Sequence, residues 1–555
     1  MRRYGALAAA ILAAAPAIAQ VAPPVDTGVL QQQQIDEERR RRELERERQM
    51  RKPAAEPIKR PEAAPPAPGA GAEAIRFLVR EIRFTPSEIL KPEELEAIAR
   101  DFRGRELTLS ELQGIAARVN ALYKAKGVVT AQAVIPPQDV SEGVVQVRLV
   151  EGRVGRIEVK GNETTREGYV TSRLALKPAE LIDLDRLERA IVRYNRTNDT
   201  QIRAELKPGT EFGTTDLYVT LAEPPRHDLR LTLDNSGSPS TGLWREGLSY
   251  ANRSLLGYRD ELSASYSHSS GHDGKAFGYE VPFNPWGGRI SFTYYDDSTA
   301  IRHGPLETLH ITGTSTAHIV SVRQPLFVQE KMQFDLLVGG KKRTTANWID
   351  TVFLQRTNTE DRNLGGDFQL LGSLGYLFAN YSRAWGHAET PDRADYRIDR
   401  GNLRYSLDFA GGTTFRASTS WQGSPQRVLP SSEQFFIGGE GTVRGYYIGQ
   451  FSGDYGYTIG MELQRELGSI GQSLVGGDGV RASGFLFADY GKTYPFRPPG
   501  TGLRPYEQLS SVGAGVNLAL GPHFYGRATL AYGLTDLPNM PRPYSLLIQF
   551  VASAF

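Results

Sequence analysis

From about Arg226 to the last residue, the chain alternates apolar and polar residues and shows no helical period. In HDLRLTLDNSG, Leu229, Leu231 and Leu233 fall on one side of an extended strand, with Arg230 and Thr232 on the other. GRISFTYYDD, FDLLVGGKK, SSVGAGVNLALG and YGRATLAYGL repeat the pattern with turn residues between them. A soluble sandwich of this size would arrange such strands in two layers with polar residues outside. Here Tyr and Phe recur near segment ends, where a membrane barrel places its interfacial girdle. The 58 glycines, 25 tyrosines and 23 phenylalanines suit strands and tight turns. At about 20 residues per strand and connection, the roughly 330 residues make about sixteen strands. The pattern predicts a transmembrane antiparallel β-barrel over 226–555.

The start of the chain fits that destination. MRRYGALAAAILAAAPAIAQ carries Arg2 and Arg3, an apolar run from Leu7 to Ala15 and an A-x-A box at Ala17-Ile18-Ala19. It reads as a secretory signal over 1–19, with a mature start near Gln20. Beyond it no run of about 18 apolar residues offers a transmembrane helix, and a closed barrel is the other structure that spans a bilayer. The 555 residues exceed one ordinary compact domain, and the absence of cysteine excludes disulfides and thiolate metal sites. A net charge of +2 carries no general nucleic-acid signal.

Between signal and barrel lie four segments. VLQQQQIDEERRRRELERERQMRK, in 20–52, is rich in helix formers and poor in apolar residues, so it suits solvent or a polar cavity rather than a core; it is expected to be a plug-type helix, with a disordered charged spacer as the alternative. Its i,i+4 combinations are mixed: Glu38 with Arg42 and Glu47 with Arg51 attract, whereas Glu43 with Glu47 repel. The Pro/Ala-rich 53–74 is a semi-stiff linker. Then the order β-α-α-β-β occurs twice, over 75–152 and 153–225. In the first copy, FLVREIRF reads as one strand, Leu95, Ile98, Ala99 and Phe102 share a helical face, and Gly127 caps the second helix.

These units resemble POTRA domains. YKAKGVVTAQAVIPPQDVSEGVVQVRLVEG is similar to the first POTRA domain of two-partner secretion transporters, the ShlB/FhaC/HecB type within the Omp85 superfamily. In that superfamily a long extracellular loop folds back into the barrel, and its tip motif is matched here by Val443, Arg444, Gly445 and Tyr446, within a loop around 438–456. The strand motif G-x-x-F-x-D-x-G is matched by Gly484, Phe487, Asp489 and Gly491. Phe487 and Asp489 share one strand face. Leu486, Ala488 and Tyr490 occupy the other, apolar face, so Asp489 is expected to point into the bore and meet Arg444.

The resemblance implies an outer-membrane translocator with its POTRA domains in the periplasm. It implies export of an unfolded, β-rich exoprotein of adhesin or cytolysin type, with activation of a haemolysin-type client in some family members. The implied partners are that client, outer-membrane lipid and the barrel assembly machinery; neither nucleic acid nor nucleotide is implied. A barrel-inserting Omp85 factor and a passive diffusion porin are the alternative readings. Phe555 matches the family's terminal assembly signal, although it is out of phase with the stripe Tyr544, Leu546, Ile548 and Phe550. No catalytic residue, cofactor or metal site is expected. His268, His272 and Asp273 read as a polar loop, and Asp296-Asp297 as a strand end.

Overall fold

The structure is a computed structural model that describes residues 27–51, 58–59, 76–128, 130–390, 392–426, 428–470, 479–497, 502–537 and 544–554. The predicted signal over 1–19, most of the 53–74 linker and Phe555 lie outside the described residues. The chain divides into two compact units, Pro53–Pro224 and a second made of Met1–Lys52 with Pro225–Phe555. Helix α1 (Thr27–Arg51) belongs to the second and strand β1 (Ile58–Lys59) to the first.

The first unit holds two α+β layers. One comprises β2 (Phe77–Val79), β3 (Glu81–Phe84), α2 (Pro92–Arg100), β4 (Arg105–Leu107), α3 (Leu109–Ala125), β5 (Ala131–Val134) and β6 (Val144–Glu151). Helix α3 starts at a capping box: Glu111 N–H donates to the Thr108 hydroxyl, and the Glu111 carboxylate accepts from Thr108 N–H. It stops where Gly127 takes φ +79°. Between those signals Leu112, Ile115, Val119 and Tyr123 recur at helical spacing and bury against Val79, Ile82, Val145 and Val147. Burial pushes the Tyr123 hydroxyl above the usual tyrosine range, and it donates to Glu151 at 3.0 Å.

FLVREIRF is two strands rather than the expected one. Arg80 N–H donates out of line to Gly143 O at 2.7 Å, so β2 pairs with β4 while β3 pairs with β6.

The other layer comprises β7 (Arg153–Lys160), α4 (Glu167–Thr171), α5 (Leu184–Thr197), β8 (Gln201–Pro208) and β9 (Thr214–Ala222). Leu187, Ile191 and Tyr194 of α5 pack on Ile202, Leu217 and Val219. Its sheet order is β1-β8-β9-β7, with Ile58–Lys59 running parallel to Ala204–Glu205.

The second unit is a closed antiparallel barrel of sixteen strands. Eleven run consecutively: β10 (His227–Asp234), β11 (Arg245–Asn252), β12 (Glu261–Ser269), β13 (His272–Pro282), β14 (Arg289–Ala300), β15 (Ile311–Val328), β16 (Met332–Ile349), β17 (Val352–Leu371), β18 (Gly375–Thr390), β19 (Asp392–Phe409) and β20 (Thr413–Gly423). A long loop follows, carrying the short hairpin β21 (Phe435–Ile437) and β22 (Phe451–Gly453). The wall resumes with β23 (Tyr455–Ile470), β24 (Val480–Tyr494), β25 (Glu507–Leu520), β26 (Phe524–Gly533) and β27 (Tyr544–Ala554).

Strand β27 pairs back onto β10, Phe550 opposite Leu233, which leaves no free sheet edge at the seam. The alternation resolves as outside and inside. Leu231, Leu486, Leu546 and Phe550 are exposed on the outer surface, where lipid covers them, and their neighbours Arg230 and Asp489 turn inward. Asp296 and Asp297 sit within β14 rather than at a strand end, and Asp297 is buried on the inner face, where α1 reaches it. Among the described residues no helix is long and apolar enough to cross a membrane.

Candidate functional site

The 25 residues of α1 span about 37 Å at 1.5 Å per residue, comparable with a hydrocarbon core of about 30 Å. The helix is polar because the surface it meets is polar. Gln31 donates to Asp297 at 2.7 Å, Arg46 pairs with Asp367 at 2.6 Å, and Glu38 accepts from the Tyr295 hydroxyl at 2.6 Å. Glu43 faces Arg404 at 3.1 Å, and Arg51 pairs with Asp408. Of the i,i+4 combinations read from the sequence, Glu47–Arg51 forms at 2.8 Å, whereas Glu38 turns to the wall. The helix therefore lies in a polar cavity, held by contacts individually worth little but numerous.

The loop after Gly423 folds inward through a 3-10 turn at Ser431–Glu433 and the β21–β22 hairpin. Its tip reaches β24. Arg444 Nε and Nη2 donate to Asp489 Oδ2 and Oδ1 at 2.7 and 2.9 Å, a bidentate fork, and Arg444 N–H adds 3.1 Å to Oδ2. Its third nitrogen, Nη1, donates to Glu462 at 2.7 Å, and the same carboxylate accepts from Arg527 at 2.9 Å. The guanidinium carbon stands 3.6 Å from the centroid of the Phe487 ring. Arg444 and Asp489 are both buried, so removing Arg444 leaves the Asp489 carboxylate uncompensated, at about 3–5 kcal/mol, whereas removing Asp489 leaves Arg444 with Glu462.

The other motif residues shape this contact. Val443 is fully buried with Ile437, Tyr446 and Leu509. Gly445 takes φ +94°, in the region that favours glycine. Tyr446 donates its hydroxyl to Ser510 O at 2.8 Å and accepts from Thr535 N–H at 2.8 Å. Gly491 leaves the space that Val443 fills. Gly484 is not part of the cluster; a side chain there would meet Leu467 at an ordinary 3.5 Å.

A second buried cluster holds the base of the loop. Glu433 lies 2.6 Å from Lys341 Nζ, 3.3 Å from Arg343 Nη1 and 3.1 Å from Arg400 Nη2, and Lys341 also meets Asp361 at 3.1 Å. Between helix, loop and wall remains a space of about 670 Å³, lined by Arg40, Arg41, Arg230, Arg404, Arg444 and Glu462 among others. The residues read as a polar loop instead lie in the β12–β13 hairpin: His268 bonds its cross-strand partner Asp273 at 2.8 Å, while His272 turns inward to within 3.7 Å of Asp297.

Sequence reasoning missed Glu462, Glu433 and the partners of Tyr446. Glu462 was within reach: Gly460, Glu462 and Gln464 alternate with Ile459, Met461 and Leu463, which assigns the carboxylate to the inner face.

A closed sixteen-stranded barrel preceded by α+β repeats, with a helix and a loop lodged in its bore, defines an outer-membrane transporter whose POTRA domains are periplasmic. The family model for the haemolysin secretion/activation protein ShlB/FhaC/HecB matches residues 213–518, and that of the ShlB-type POTRA domain matches 77–152. The chain belongs to the ShlB/FhaC/HecB family, whose members here are two-partner secretion transporters.

Outer membrane transporter CdiB of Dickeya dadantii is 27% identical over 68% of this chain and 71% of its own length. Heme/hemopexin transporter protein HuxB of Haemophilus influenzae is 23% identical over 80% and 82%. In fold, CdiB from Escherichia coli matches with a TM-score of 0.65 at 21% identity, covering 95% of this chain and 97% of that one. BamA from Haemophilus ducreyi lacking POTRA domains 1–3 matches with a TM-score of 0.52 at 13% identity, covering 86% and 100%.

Proposed function

We propose that this transporter captures an unfolded, β-rich exoprotein through its POTRA domains and passes it outward through the barrel bore. The observation that carries the reading is the state of the bore: it is occupied by α1 and by the loop tip, and both are held through polar contacts that can exchange with water. A plain diffusion porin has no use for such obstructions. A barrel-inserting factor shares the fold with BamA, but the Gln/Arg-rich helix lodged in the lumen favours passage of a chain through the bore.

Capture by strand addition suits the POTRA sheets. The β8 edge already accepts an extended segment, Ile58–Lys59, in parallel register, so main-chain bonding there makes little demand on side chains. Exit requires α1 to leave and the loop to shift about the Arg444–Asp489 pin. Folding of the client outside supplies direction where no nucleotide does, and a haemolysin-type client would be activated in the same passage. Phe555 and the apolar outer stripe of β27 serve insertion by the barrel assembly machinery.

The test is co-expression with a candidate exoprotein. Site-specific crosslinks from the POTRA units to the client, and loss of the exoprotein from the medium on knockout, are expected. Undiminished secretion after deletion of 75–225 would refute the capture role.

A further inference from the structure

One guanidinium holds the plug helix and the lumenal loop at the same time. Arg343 of β16 is 1% exposed. Its Nη1 donates to Ser432 O at 3.1 Å and to Glu433 Oε1 at 3.3 Å, both on the loop. Its Nη2 donates to Gln32 Oε1 at 2.8 Å, on α1. The carboxylate it shares is the centre of the cage: Glu433 is 1% exposed and neutralises cations from two strands, Lys341 and Arg343 of β16 and Arg400 of β19. Asp361 of β17 is a second carboxylate there, at Lys341, and Asp36 of α1 acts on Arg400 as a third. Gln422 of β20 fastens the same residue through its carbonyl, Nε2 to Glu433 O at 2.8 Å.

The charges decide what this cluster does. With Glu433 in place, Lys341, Arg343 and Arg400 face Glu433 on the loop, Asp361 on the wall and Asp36 on α1. If the loop base withdraws, the three cations lose the carboxylate they share and repel one another more strongly in a buried site. If α1 withdraws, Arg343 loses Gln32, and a buried donor must find a new acceptor or turn away from Glu433. Either departure loosens what holds the other element.

We infer that Glu433 is a positioning residue that couples exit of α1 to release of the lumenal loop, with Arg343 as the shared contact. The Arg444 pin fixes the tip; the Glu433 cage fixes the base and reports whether the helix is present. The inference rests on the reading of the bore as the client's route. It does not need the direct approaches of α1 to the tip, Arg40 to Gly441 O and Gln33 to Gly449, which touch the tip rather than the base.

The test uses the full chain in planar bilayers, with a nitroxide on Ile448→Cys at the loop tip. The chain has no cysteine of its own. Glu433→Gln is expected to raise the open probability about tenfold, since it breaks a buried charge cluster. Gln32→Ala is expected to raise it several-fold and to sharpen the nitroxide spectrum. The double variant should open no more than Glu433→Gln alone, because both act through one contact.

Multiplying effects in the double variant, or wild-type closure in Glu433→Gln, would overturn the coupling. Should Glu433→Gln fail to insert, Gln32→Ala decides alone, and an unmoved nitroxide spectrum refutes the inference. Deletion of 27–51 separates the two levels. If it leaves conductance unchanged, the plug reading fails. If it opens the bore while Gln32→Ala and Glu433→Gln do nothing, only the coupling fails.

Discussion

Gly491 of β24 lies directly beneath Val443 of the lumenal loop: a methyl group at 491 would stand 2.8 Å from Val443 Cγ2 and 3.1 Å from Ile437 Cγ2. The loop tip is thus seated against bare backbone, two residues from the aspartate that binds its arginine. Gly491→Ala is expected to push the tip off the wall at a cost of about 1–3 kcal/mol, the usual range for overpacking. The thermal midpoint of the purified barrel should fall, and Val443→Ala added to Gly491→Ala should restore part of it. No rescue would mean that the two residues do not meet.

Glu462 stands between two arginines, accepting from Arg444 and Arg527 at 2.7 and 2.9 Å. Glu462→Gln keeps the shape and removes the charge, leaving Arg527 without its carboxylate while Asp489 still holds Arg444. The variant is expected to insert normally and to lose about 1–3 kcal/mol in urea unfolding, less than loss of Asp489. Equal effects of Glu462→Gln and Asp489→Asn would show that the fork on Asp489 is not the principal anchor.

Leu486 and Asp489 share a strand but face opposite media. A cation on the lipid face costs about 2–4 kcal/mol near the bilayer midplane, whereas a lumenal change does not meet hydrocarbon. Leu486→Arg should reduce the yield of heat-modifiable barrel in the outer membrane, and Asp489→Asn should leave that yield near wild type. The reverse order would invert the assignment of inside and outside.

Helix α1 fills the bore through contacts to β10, β14, β17 and β19 among others. Deleting 27–51 should raise single-channel conductance several-fold in planar bilayers, because an obstructed lumen becomes an aqueous one in a barrel of about sixteen strands. Exposed and half-exposed pairs such as Arg230–Glu45 weaken with ionic strength, so raising salt should also increase spontaneous openings of the intact chain beyond the rise in bulk conductivity. Conductance unaffected by the deletion would place the helix elsewhere.

The barrel was legible because lipid and water impose a two-residue period on every strand, visible in Leu229, Leu231 and Leu233 without knowing any neighbour. Arg444 and Asp489 were legible through their motifs and the phase of Asp489 with Phe487. What escaped was set by the path of the loop. Glu433 lies eleven positions before Arg444, and nothing local indicates that its carboxylate would meet strands β16 and β19. Tyr446 finds its acceptors in β25 and beyond β26 for the same reason. The splitting of FLVREIRF at Arg80 depends on the carbonyl of Gly143, which is distant in sequence. The polar cavity around α1 was legible in its lack of apolar residues, but its wall partners, Asp297, Asp367 and Arg404, were not, because they lie hundreds of positions away in sequence.

The central claim is that Arg444, held by Asp489, keeps the loop tip on the barrel wall and that secretion depends on that position. The direct measurement is client secretion by Arg444→Ala in cells where the barrel is inserted and a nitroxide on Ile448→Cys reports the tip. The account predicts a folded barrel, a mobile tip and secretion reduced to about a tenth or less, in keeping with the loss of a buried ion pair. A displaced tip with wild-type secretion would contradict it.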